Sequence, residues 1–367
     1  VALQVSDQGE AIKGLAALNS QCGGSTGDYG VARGPDGYLM IADTQVLASR
    51  YAADASDSSL EDNENFNADM DALGDPGVVS FWLDYHSLTS VLPAGSLPPG
   101  TGITDFARGA DSMAGALRFN ESYLELAAVA SDVDMPQPTS DNAIVNLPES
   151  TFAALSLSTG GSYIDQLWGA LGDAMASQGR SLDSLSSQIA RETGLVLPDD
   201  LKTIVGDNIT IAIDAKGLDF SALQNTGDTS TLPLGARFQT DPAEFERVYQ
   251  KLVDYVRARG EELPLTKLEG DGFVAVSTDS DYASELTKDG SLGDTDKFRT
   301  AVPDAESAAT VLYLDFDSVE SQILTAVHAN GGSQRVIDNL EPLSSIGISS
   351  HVRGDGVVDA ALRVTVN

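Results

Sequence analysis

The stretch Gly-Gly-Ser-Thr-Gly at residues 23–27 fits the glycine–x–serine–x–glycine pattern of hydrolases, with Ser25 as the attacking hydroxyl. That chemistry needs a buried strand before the serine and a helix after it, so that the nucleophile stands on a strained elbow. Here the helical stretch AIKGLAALN precedes and a strand follows, so the context is reversed. A serine nucleophile also needs a histidine, and the chain has three, His86, His328 and His351. None has metal-ligand spacing with another, and surface or capping roles account for all three. Asp84 and Asp315 raise a second possibility, a paired carboxylate acid and base. Each stands at the end of an apolar run, where it can equally cap the helix that follows.

The remaining motifs reduce to simpler explanations. The densest acidic stretches, 56–71 and 277–296, do not follow the calcium-loop spacing of acidic positions around a required glycine, and they read as solvated loops. Arg353-Gly354-Asp355 matches an adhesion tripeptide but falls in a turn, where glycine and aspartate serve the backbone. No phosphate-cradling loop and no dinucleotide fingerprint is present. Cys22 is the single cysteine, so it forms no internal disulfide; an inert loop thiol or pairing outside these residues are its two readings. The sequence nominates no catalytic, cofactor-binding or metal-ligating residue.

Charge narrows the partners. Fifty-five acidic against 21 basic residues give a formal net charge of −34 over 367 residues. Phosphate backbones and anionic headgroups are bound by clustered lysine and arginine that replace counterions, so nucleic acid is excluded as a partner. The acidity suits solubility, salt adaptation, cations or basic protein patches. No apolar run approaches the roughly 20 residues that cross a bilayer.

The elements that would position any site repeat along the chain. DGYLMIADTQVLASRY at 36–51 parallels DGFVAVSTDSDYASEL at 271–286, and SLEDNENF at 59–66 parallels SLGDTDKF at 291–298. VVSFWLDYHS, ending at 87, parallels ATVLYLDFDS, ending at 318. VALQVSDQGEAIKGLAAL at the start parallels LGARFQTDPAEFERVYQKL at 234–252 with one gap. The offset stays between 231 and 235, which argues for duplication of a long unit. The second copy spends about 90 residues before Leu234 that the first copy does not show, so the chain reads as a piece of a longer parent.

Within the second copy, LPLGARFQ alternates as a strand, and TDPAEFERVYQKLVDYVRARG is a helix. Asp241 is its cap, Pro242 its first turn and Glu244 the partner of a capping box, with Phe245, Val248, Tyr249, Leu252 and Val256 along one apolar face. Residues 344–366 form an antiparallel hairpin around Gly-Asp-Gly, and DSMAGALRFNESYLELAAVA takes the same place in the first copy. The segment SDVDMPQPTSDN at 131–142 marks the boundary between copies, and LPAGSLPPGTG at 92–102 is a Pro/Gly loop. The expected fold is α+β, with two homologous repeat units at 1–135 and 142–367. Each is a mostly antiparallel sheet with helices packed on it and a C-terminal hairpin, the first without its opening segment.

FAALSLS, ETGLVLPDDLKTIVGDNITIAID, GFVAVSTDSDYASEL and KFRTAVPDAESAATVLYLDFDS, with the closing hairpin, resemble a domain of unknown function from exported, membrane-tethered actinobacterial proteins. The resemblance covers most of 142–367 and, through the duplication, much of 1–130. It implies a single anchor upstream, the present residues outside the cytoplasm, and no established site residues. The expected function is that of a non-enzymatic extracytoplasmic module that binds an envelope protein or other envelope component, without a cofactor. A carrier of a lipid or other apolar small molecule is the alternative, with a cavity between helices and sheet. A hydrolase using Ser25, or the Asp84 and Asp315 pair, is the third reading.

Overall fold

The computed structural model describes residues 1–21, 29–85, 87–88, 110–218, 232–329 and 333–367. Cys22, Ser25, His86 and the loop at 92–102 lie outside the described residues. The chain forms two compact units, Val1–Ala72 and Leu73–Asn367.

In the first unit, strands β1 (Ala2–Gln4), β2 (Gly30–Arg33) and β3 (Tyr38–Ala42) make an antiparallel sheet in the order β1-β3-β2. Helix α1 (Gln8–Gln21) follows β1, and the Gln8 amide bonds the carbonyls of Gly34 and Tyr38 at the turn between β2 and β3. Thr44 caps α2 (Gln45–Asp57) by accepting the Leu47 N–H. Leu39, Ala48 and Ala52 are buried. Helix α3 (Glu64–Leu73) ends the unit.

The second unit is an α+β body on one eleven-stranded, wholly antiparallel sheet. Its strands are β4 (Val79–Asp84), β5 (Ser112–Phe119), β6 (Tyr123–Ser131), β7 (Thr151–Leu157), β8 (Asn208–Asp214), β9 (Leu234–Gln239), β10 (Thr266–Gly270), β11 (Phe273–Ser277), β12 (Thr310–Asp315), β13 (Leu343–Val352) and β14 (Val358–Val366). Their order is β10-β11-β9-β8-β7-β12-β13-β14-β6-β5-β4. Residues alternate between two faces, so the even and odd positions of each strand can be assigned together. One face carries Tyr313 and the other carries Leu312.

Helices α4 (Gly160–Ser177), α5 (Leu182–Thr193) and α6 (Asp199–Val205) follow β7, and α7 (Pro242–Ala258) follows β9. The stretch LPDDLKTIV carried no helical expectation, yet it supplies α6. Its Asp200 accepts the Val196 N–H and pairs with Lys251 at 2.6 Å and Arg247 at 3.3 Å on α7. Asp241 caps α7 as expected, accepting from the N–H groups of Ala243 and Glu244. Glu244 does not close a capping box: its carboxylate takes Arg247 at 3.0 Å, because a charge-assisted bond outcompetes one to a neutral N–H. Phe245 packs with Val274, Val276 and Phe238, covering the Leu312 face over β11 and β9.

On the Tyr313 face lie α8 (Ser280–Leu286) and α9 (Asp296–Ala301). Asp279 and Thr295 cap them. Phe298 of α9 meets Tyr313 edge-on at 4.9 Å inside the main core, with Leu147, Leu286 and Leu292. The close seat of α9 depends on Gly347, where a Cβ would stand 2.2 Å from the Ala301 carbonyl oxygen. Helices α10 (Glu320–Ala329) and α11 (Gln334–Leu340) lead into β13. Residues 132–142 adopt neither helix nor strand but are tied down. Val133 N–H bonds the Gly356 carbonyl, Thr139 N–H bonds Ser158, and Val133 and Met135 pack on Val352, Val358 and Met113.

Candidate binding face

Among the described residues, the candidate carboxylates do not meet. Asp84 and Asp315 end β4 and β12, five steps apart in the sheet, about 24 Å at ordinary strand spacing. Asp84 accepts the N–H and hydroxyl of Ser87, both at 2.7 Å, as a turn-forming aspartate does. Asp315 and Asp317 each hold the Lys297 ammonium at 2.9 Å. Burial alone would lower the Lys297 pKa, but the two carboxylates outweigh it and hold the ammonium above its usual value. Beside them, burial and then the aspartate charges push the Tyr313 phenol far up.

His328 is exposed near the end of α10. His351 lies 3.6 Å from the Asp359 carboxylate and 3.1 Å from the Asp304 carbonyl oxygen. The Arg353 guanidinium is held by Asp359, and Gly354–Gly356 make the turn between β13 and β14. In the acidic stretches, Asp62 closes a capping box with Ser59 and Asp279 caps α8. Among the described residues, no three His, Cys, Asp or Glu side chains form a group able to hold a metal ion.

The two sheet faces differ in chemistry. Between β8 and β4 the Tyr313 face carries the charges and most of the hydroxyls, including Glu125 of β6 between Arg118 of β5 at 2.7 Å and Arg363 of β14 at 2.6 Å. These arginines also donate to helix-end carbonyls, Arg118 to Leu73 and Arg363 to Thr300. Burial raises the Glu125 pKa, but bonds and charges from both arginines overcome that and hold it below the usual carboxylate range.

On the Leu312 face, cross-strand pairing lines up continuous rows. The middle row runs Ile211, Leu155, Leu312, Ile348, Leu362, Leu126, Leu117, Val79, one residue from each of eight strands. A second row runs from Ile213 through Leu314, Ile346 and Val364 to Phe119, and a third contains Leu157, Ala360, Ala128 and Phe81. Between β8 and β4, the positions paired on this face are Leu, Ile, Val, Ala, Phe, Met or Gly, apart from Thr310 and Ser350, which pair with each other. None is ionisable, in a chain whose residues are 21% charged.

Comparison with family models, curated proteins and solved structures returned no match. The assignment of a site therefore rests on geometry alone.

Among the described residues, the charge-free face is open. Leu155 is 39% exposed, Ile211 40%, Leu126 45%, Val79 58% and Phe119 67%. Helix α7 bounds it over β9 and β11, and the segment carrying Val133 and Met135 covers its margin at Val352, Val358 and Met113. Over β8, β7 and β12 lies a groove of about 200 Å³, lined by residues including Leu155, Ile211, Ile213, Leu234, Leu312 and Leu314. An exposed apolar area of this continuity marks an interaction surface. Strand alternation in the sequence could have revealed it: in VDAALRVTV, Asp359, Arg363 and Thr365 share one parity and Val358, Ala360, Leu362 and Val364 the other. Ordinary reasoning turns the apolar parity inward, and here that parity is the open one.

Proposed function

We propose that the chain is a non-catalytic binding module, the extracytoplasmic part of an envelope protein, whose binding surface is the charge-free Leu312 face. The observation that carries this reading is the run of eight strands with no ionisable side chain on a solvent-open face. The extracytoplasmic placement rests on the sequence resemblance.

The module is built from two copies of one unit, and strand registers support this. Leu3 pairs with Leu39 as Phe238 pairs with Val274, both residues displaced by 235. Asp84 pairs with Ser112 as Asp315 pairs with Ser345. The cross-strand ion pair of Arg118 with Glu125 has its counterpart in His351 with Asp359. The corresponding strands β6 and β14 pair with each other, with Ala127 opposite Ala361. By the repeat these two alanines are themselves counterparts, so a local two-fold axis passes between them and makes one face from two units.

Nile red, an uncharged apolar dye, tests the surface. Its fluorescence should rise on addition of the chain, and the doubly substituted Leu312→Asp, Ile348→Asp protein should lose that response at least about tenfold with an unchanged circular-dichroism spectrum. No response, or one indifferent to the substitutions, would remove this face as the binding surface.

A further inference from the structure

Resting on that reading, we infer that the occupant of the Leu312 face is the hydrocarbon chain of an uncharged or zwitterionic lipid, laid across the strands along the side-chain rows. The rows span about 35 Å across eight strands, a long and narrow apolar track. The groove over β8, β7 and β12 begins it, and Ile348, Leu362 and Leu126 continue it.

Chemistry selects the occupant. A protein partner is ordinarily held by about one hydrogen bond per 100–200 Å² and by a polar rim. Among the positions of these strands on this face, only the hydroxyls of Thr310 and Ser350 answer that need. A second copy would bring another −34 charges against the first, a repulsion that no cation on the face offsets. A methylene chain asks for no hydrogen bond and carries no charge.

The margin of the face favours the same ligand. The segment that covers its end continues into a shallow cleft of about 570 Å³, whose lining includes Asp134, Gln137, Thr139, Ser162 and Gln166. The Gln137, Thr139 and Gln166 donors are engaged by protein carbonyls, which leaves Asp134 as the one ionisable side chain of this lining; it suits a headgroup that carries a cation and disfavours a purely anionic one.

Isothermal titration of the intact chain with decyl-, dodecyl- and tetradecylphosphocholine, each below its micelle concentration, tests the assignment. Affinity should rise about twofold or more per added methylene, the increment for a chain partly withdrawn from water. Leu126→Glu and Leu155→Glu should each weaken binding by about tenfold or more with unchanged melting, whereas Leu167→Glu, on exposed α4, should not. At low salt, lysophosphatidylcholine should bind several-fold more tightly than lysophosphatidylglycerol of the same chain, with the gap narrowing as salt is added.

Affinity independent of chain length, or equal for the substituted proteins, overturns the lipid assignment. If the chain instead self-associates, and Leu126→Glu disperses it without lipid uptake, the occupant is a second copy: the lipid assignment falls and the binding face stands. If Nile red also fails to bind, both fall.

Discussion

Glu125 shows how a single carboxylate holds the middle of the sheet. It is buried between Arg118 and Arg363, on the strands either side of its own. Removing its charge leaves two arginines facing each other in a partly buried site, and Glu125→Gln is expected to destabilise the second unit by about 3 kcal/mol in urea unfolding. Because its folded pKa is depressed, the stability it contributes is present above the carboxylate's unfolded value and is lost as pH falls through the folded one. The acid limb of the wild-type stability profile should therefore flatten in Glu125→Gln. The acidic and basic partners of this triad could each be read in sequence as strand residues. Their meeting could not, because it depends on β14 lying beside β6. The same holds for Asp84 and Asp315, whose place in matching sequence segments could be read while their separation across the sheet could not.

At the scale of elements, the short helices on the Tyr313 face depend on their caps and on one aromatic contact. α8 has seven residues and α9 six, too few to stand alone in water. Phe298 fixes α9 against Tyr313, so Phe298→Ala is expected to cost about 3–5 kcal/mol, read from a shifted urea midpoint with an unchanged slope. Most elements were legible: strand alternation, the Asp241 cap and the Gly-Asp-Gly hairpin are local signals that the structure follows. The failures were local too. α6 was hidden because LPDDLKTIV is too short to show a helical period, and its helix is held by Asp200 against α7. The 131–142 segment differs from its surroundings in composition. Its role as a packed margin was not legible, since Val133 and Met135 show no periodicity and find their contacts on β13, β14 and β5.

For the whole molecule, charge sets the response to solvent. With a net −34, self-repulsion weakens the compact state and salt should relieve it. Raising NaCl from about 0.05 M to about 0.5 M is expected to raise the calorimetric melting temperature by about 3 °C or more. The antiparallel class of the large sheet was readable from hairpins and alternating strands. Its strand order was not, because β7 with β12 and β14 with β6 pair over long sequence distances, and nothing local encodes them. That order also governs assembly during synthesis. Strands β13 and β14 come after the β4–β6 meander in the sequence yet occupy central places, between β12 and β6. Until they leave the ribosome, the β4–β6 meander has nowhere to dock, and the hydrogen-bonding margin of β6 stays available to any passing chain. Loss of the β13–β14 hairpin would thus divide the sheet into two sticky pieces.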